Sequence, residues 1–188
     1  MLQDFNLLVS TSRGNERNTC SEMWYLLGEA GDRNAVVERT PVIGLVVART
    51  RIDPVAAVEK LRSLLIERPW EFRYTLKVTP LTGTVSSDPQ TIEDYAARLA
   101  ESIKREEKYR ITVEKRRTSI SGRALIEAVA KRVDREVDLE APDKVILIQI
   151  MGEVTGVSVI PPDKILSVER EKRFASQERT KQPKMASG

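Results

Sequence analysis

Apolar residues recur along this chain in blocks of two periods, and the order of the blocks predicts its architecture. FNLLVSTSR (5–13) is a short apolar run closed by Gly14 and Asn15, and reads as a buried strand. ERNTCSEMWYLLGEAG follows with Met23, Leu26 and Leu27 at helical spacing, joined by Trp24 or Ala30, and Gly31 stops it. AVVERT (35–40) and VIGLVVART (42–50) are strands parted by Pro41. Asp53 and Pro54 supply an N-cap and a first-turn proline. The helix they open carries an apolar stripe of Val55, Val58, Leu61 and Leu65, and FRYTLKVT (72–79) after Pro69 is again a strand. The order β-α-β-β-α-β is that of a ferredoxin-like domain over residues 1–80.

PLTGTVSSDPQ is rich in Pro, Gly, Ser and Thr, which predicts a linker over 81–90. A second α/β domain is expected over 91–170. It begins with a helix (91–106) carrying Ile92, Tyr95, Ala96, Leu99 and Ile103 on one face, then a strand (110–117). A helix (122–137) follows with Ile126, Val129, Ala130, Val133 and Val137 as its seam. Strands at 144–151 and 154–160 flank a turn bounded by Gly152 and Gly156, and Pro161-Pro162 ends the sheet. From 171 to 188 there is charge without apolar period, which predicts a disordered tail. The class is α+β.

Composition narrows the chemistry. The chain has 188 residues, 40% hydrophobic and 31% charged, with a net charge of +3. Between 110 and 135 stand eight Arg or Lys against three Asp or Glu, so the basicity is local. There is no histidine and one cysteine, Cys20. Ser-His-Asp and Cys-His nucleophile pairs, His-containing zinc sites and an internal disulfide are therefore excluded within this chain. Neither phosphate-loop nor dinucleotide glycine motif occurs. The acidic neighbours Glu93/Asp94 and Glu106/Glu107 point apart on a helix and predict no metal site. Cys20 is expected to be a packing residue. No catalytic residue and no cofactor is expected. The longest apolar run, VILIQIM (145–151), is strand-sized, and the start does not resemble a signal peptide, so a cytoplasmic protein without a membrane partner is expected.

The candidate chemistry lies where the strand at 110–117 meets the next helix. Lys115, Arg116 and Arg117 are followed by Thr118, Ser119, Ser121, Gly122 and Arg123. Strand alternation sends Arg116 and Arg117 to opposite faces. Ser119 or Ser121 can cap the helix, and Gly122 allows a ligand near the backbone. The first turn of a helix presents N–H donors and partial positive charge, and guanidiniums grip phosphate bidentately. A phosphate cradle is therefore expected here, continued along the helix by Lys131. Arg13 and Arg17, around Gly14 at the first strand-to-helix joint, are a second candidate phosphate contact. Trp24 and Trp70 are expected in the core, so recognition should rest on phosphate, 2′-OH and shape more than on stacking.

VEKRRTSISGRALIEAVAKRVDREVDLEAPDKVILIQIMGEVTGVSVIPP resembles a THUMP domain, an RNA-binding module of tRNA-modifying enzymes. FNLLVSTSRGNER, the AGD at 30–32, ARTRIDP and ERPWEFRYTLKVTPL resemble the archaeal relatives of the Tan-type adaptor for tRNA acetylation, in which a ferredoxin-like domain precedes THUMP. The likeness runs from about residue 4 to 172. It implies a non-catalytic adaptor that recognises the tRNA acceptor stem and 3′ end and presents a D-arm cytidine to a separate acetyltransferase. It places Lys115, Arg116, Arg117, Ser119 and Arg123 at the basic strand-turn-helix, and Gly152, Gly156 and Ser158 on the glycine-flanked hairpin. The family pattern has Arg before the Val-x-Pro segment; here it is Lys77, which keeps the charge but loses the fork. The alternative is the RNA-binding half of a THUMP enzyme of thiolation, methylation or deamination, its catalytic domain on another chain.

Overall fold

A computed structural model describes residues 2–181 and shows two sheets, each with its own core. The first half runs β1 (Leu7–Thr11), α1 (Glu16–Glu29), β2 (Val36–Arg39), β3 (Leu45–Arg49), α2 (Pro54–Glu67) and β4 (Thr75–Pro80). Its strands pair antiparallel in the order β2-β3-β1-β4. Inward residues of alternate strand positions explain the packing. Leu7 and Val9 of β1 face the helices, where Met23, Leu26, Leu27, Val58, Leu61 and Leu65 close the core. Leu8 faces the other way, with Phe5, Leu45 and Val47. Asp53 caps α2 by accepting from the Ala56 N–H at 2.9 Å.

The second half runs β5 (Gly83–Ser86), α3 (Pro89–Ala100), β6 (Tyr109–Arg116), α4 (Gly122–Arg132), β7 (Lys144–Met151) and β8 (Val154–Ile160). Its sheet has the order β5-β8-β7-β6. β6 and β7 are parallel, and α4 supplies the crossover that a parallel pair requires. α3 and α4 bury Ile92, Ala96, Leu125 and Val129 against Ile146, Ile148 and Val157. Ferredoxin-like domain and second α/β domain thus form an α+β protein.

Four expectations need correction. The segment 81–90 is not a loose linker: Gly83–Ser86 is a strand paired with β8, because its alternating Thr84 and Val85 suit a sheet edge. α4 stops at Arg132, so Val137 is exposed and instead bridges Tyr109 in parallel fashion, while Leu125 takes the seam place expected of Ile126. Past the second sheet the chain returns to the first: β9 (Leu166–Ser167) pairs with β4. The tail expected to lack structure then forms α5 (Val168–Lys181). Apolar periodicity could not predict it, since its attachment is largely polar. Val168 is buried, but Glu171 pairs with Arg62 at 3.3 Å and Lys172 donates to the Phe72 carbonyl at 2.8 Å. The rest of the expected tail, 182–188, lies outside the described residues.

The halves meet directly. Phe5, Leu8, Leu45 and Val47 on the helix-free face of the first sheet pack against Leu81, Met151 and Val154. Gly156 leaves room for Leu81, whose Cδ1 would lie 2.5 Å from a Cβ at that position. No helix among the described residues is long and apolar enough to cross a membrane.

Candidate nucleic-acid interface

Strand β6 ends because Arg117 turns into the left-handed region, with φ of 54°. That turn carries the chain over Thr118–Ile120 into α4. Ser121 caps α4, accepting from the Ala124 N–H at 3.2 Å, so the helix end is presented by a capped and ordered turn. Lys115 folds back on the turn, donating to the Ile120 carbonyl at 2.9 Å. Lys115, Arg117, Ser119, Arg123 and Lys131 are all exposed around this end and along the outer helix face.

The cations differ in how free they are. Arg123 has a 90% exposed side chain and only a same-helix pairing with Glu127 at 2.9 Å, which costs little to exchange for another anion. Arg117 uses Nη1 to donate to the Pro41 carbonyl of the first half at 2.9 Å. Arg116 is committed inward: it meets Glu114 at 2.7 Å and the Gln149 side chain at 3.2 Å. Lys77 approaches the same carboxylate at 3.6 Å from β4. Burial would raise the Glu114 carboxyl, but the Arg116 hydrogen bond and the charges of Lys77 and Arg116 outweigh it and hold it below its ordinary value. Arg116 and Lys77, expected to grip phosphate, therefore form a charged joint between the halves instead.

Ser158 is a second correction. It is fully buried, and its hydroxyl donates to the Pro80 carbonyl at 2.9 Å, so it staples the halves together and cannot meet a ligand. Gly152 lies on the β7–β8 turn with φ of 66°, a conformation suited to glycine, and its N–H donates to the Arg116 carbonyl at 3.0 Å.

Arg13 and Arg17 are exposed at the β1–α1 joint. A chain of contacts ties this joint to Arg117. Arg117 holds Pro41 of the β2–β3 hairpin, whose Gly44 N–H donates to Glu16 at 2.8 Å, at the start of α1. That hydrogen bond is the main cause holding the Glu16 carboxyl below its ordinary value. Arg39 is also exposed here and shares a hollow with Glu16 and Pro41. It was missed in sequence because β2 alone does not reveal what its end faces.

Both tryptophans are on the surface, contrary to the expected core placement: Trp24 is 56% and Trp70 63% exposed. Trp24 follows Met23 and so sits a third of a turn away from the buried seam. Trp70 occupies a one-turn 3-10 helix, Pro69–Glu71, and the neighbouring Phe72 takes the core position.

An α+β module of this topology with a basic strand-turn-helix fits a known class of RNA-binding domain. Residues 86–160 match the model of the THUMP domain, so this part of the chain is a THUMP domain. No curated protein sequence matches the chain. Solved structures share its fold at low identity. PH1313 from Pyrococcus horikoshii Ot3 is 15% identical with a TM-score of 0.57, covering 84% of this chain and 55% of its own. TrmN from Thermus thermophilus is 15% identical with a TM-score of 0.54, covering 81% and 44%. A 4-thiouridine synthetase in complex with RNA and ATP is 9% identical with a TM-score of 0.51, covering 87% and 42%. The chain thus spans roughly half the length of these relatives in fold.

Proposed function

We propose that this protein is a tRNA-binding adaptor that holds the acceptor end and presents a D-arm cytidine to a separate acetyltransferase. The observation that carries the RNA-binding part is the THUMP domain with Arg117, Ser119 and Arg123 exposed around the amino end of α4 and Lys131 exposed in its last turn. The acetylation part is supported by the Tan-type resemblance, which spans both halves. In this reading the chain takes no chemical step. Its contribution is distance: a rigid body seated on one end of tRNA fixes where the partner meets its base, replacing a bimolecular search. The Arg117–Pro41, Ser158–Pro80 and Lys77–Glu114 contacts hold the halves in one orientation and suit them to that task.

A second reading is the RNA-binding half of a THUMP-containing tRNA-modifying enzyme. It is favoured by the chain's spanning only 42% of the 4-thiouridine synthetase it resembles in fold. Reconstitution separates the two. With acetyl-CoA, ATP and tRNA, the isolated protein should form no acetylcytidine, and adding a tRNA cytidine acetyltransferase should produce it faster than the transferase alone. Acetylcytidine from the isolated chain, or no stimulation of the transferase, overturns the adaptor reading.

A further inference from the structure

Three aromatic residues of the first half stand together. Tyr25 of α1, Trp70 of the 3-10 turn and Tyr74 before β4 line a groove of about 530 Å³ whose rim carries Asn18, Ser21 and Arg73. Trp70 and Tyr25 are 63% and 42% exposed, although burying either ring would be favourable in a chain with only nine aromatics. The groove is fixed from below. The Glu22 carboxylate accepts the N–H groups of Arg73 at 2.7 Å, Tyr74 at 3.0 Å and Thr75 at 2.8 Å. The Tyr25 hydroxyl donates to Glu71 at 3.2 Å, and Glu71 also meets Arg68 at 3.3 Å. Glu22 is thus engaged by backbone donors, and Glu71 by a hydroxyl and a guanidinium on Oε1, its Oε2 being buried without a partner among the described residues. Arg73 spends Nε on the Trp70 carbonyl at 3.3 Å, which anchors it at the rim.

Flat aromatic walls bordered by an amide, a hydroxyl and a guanidinium match the needs of an unpaired nucleotide. The π-face stacks, the base edge finds donors and acceptors, and the phosphate meets a cation. Position supports the same ligand. Asn18, Ser21 and Tyr25 lie along one face of α1, and Arg13 and Arg17 stand at that helix's start. Thr11, at the end of β1, donates to the Tyr74 carbonyl at 2.8 Å and through its N–H to the Gly44 carbonyl at 2.9 Å. The groove, the arginines of the β1–α1 joint and the hairpin held by Arg117 therefore share one end of the first sheet.

We propose that the Tyr25–Trp70–Tyr74 groove is a stacking site for an unpaired nucleotide of the bound RNA, reached from the THUMP cations along Arg117, Arg39, Arg13 and Arg17. The inference rests on the tRNA-binding reading above. The chain has two tryptophans, so W24F leaves Trp70 as the sole indole. Saturating tRNA should quench its emission, a tetranucleotide single strand should do so at higher concentration, and a blunt RNA duplex should leave it unmoved. W70A should weaken tRNA binding about 5- to 150-fold, the range for losing one stacked base, with duplex affinity unchanged, and W70F should restore much of the loss. Since Trp70 is exposed, its removal should leave the thermal midpoint unaltered. Bound tRNA with unmoved Trp70 emission and full affinity in W70A overturns the site. If the emission then responds to the acetyltransferase instead, the face belongs to a protein partner and the stacking proposal is equally overturned. Wild-type protein that does not bind tRNA at all overturns the tRNA reading and this site with it.

Discussion

Replacing Arg117 and Arg123 together by Gln tests which cations the RNA feels. Both are exposed, and neither is in a strong ion pair: Arg123 holds Glu127 within its own helix, and Arg117 donates to a carbonyl. Each phosphate contact contributes roughly 0.7 to 0.9 to the slope of log K against log salt, so the double variant should flatten that slope by about 1.4 to 1.8. At about 0.15 M salt the same relation gives about 4- to 5.5-fold in affinity per contact, hence about 14- to 30-fold for the pair. Arg116→Gln is the control. Its side chain is only 30% exposed and its guanidinium is taken by Glu114 and Gln149, so it should leave the slope unchanged and lower the unfolding midpoint instead. Filter binding of tRNA from about 0.05 to 0.25 M salt reads all three proteins over the range where phosphate contacts dominate. Parallel salt lines for the double variant, or a flattened line for Arg116→Gln, would refute this division of labour.

Asp32 is buried and accepts from the Thr50 hydroxyl at 2.6 Å, the Arg51 N–H at 2.7 Å and the Asn34 N–H at 3.1 Å, so Asp32→Ala strands three donors and should cost about 3 kcal/mol in denaturant unfolding. A cost under about 1 kcal/mol would show that those donors find other partners. Gly156→Ala places a Cβ against Leu81 and should destabilise by about 1 to 3 kcal/mol, with Leu81→Ala in the same chain giving less than the sum of the single effects; additive costs would contradict the contact. The Glu16, Asp32 and Glu114 carboxyls are held below their ordinary values, so their contribution is complete above the unfolded-chain range near about 4 and is lost as pH falls through the lower folded values. With no histidine in the chain, thermal unfolding should be nearly flat from about pH 6 to 8 and fall below about 4; a transition near about 6 would contradict it.

Period made the fold legible. β7 and β8 fall on 144–151 and 154–160 as expected, because continuous apolar runs bounded by Gly and Pro leave little choice of boundary. β5 was hidden because a four-residue edge strand of Gly, Thr, Val and Ser has the composition of a turn. α5 was hidden because polar contacts hold it. Among the site residues, position was legible and commitment was not. The sequence places Arg116 at the end of a basic strand, but only the register beside Gln149 and the approach of Lys77 show that Glu114 claims it. Ser158 has the same history: its partner, the Pro80 carbonyl, is far away in sequence. The tryptophans erred in the opposite direction, since hydrophobicity alone cannot tell a core ring from a displayed one.

The return of the chain through β9 has a mechanical corollary. Two separate stretches cross between the sheets, one near Leu81 and one near Pro161, so the halves are strapped at two points. A body joined by one strand can swivel about it, whereas one strapped twice resists torsion. A single proteolytic nick at either crossing should therefore leave the pieces associated.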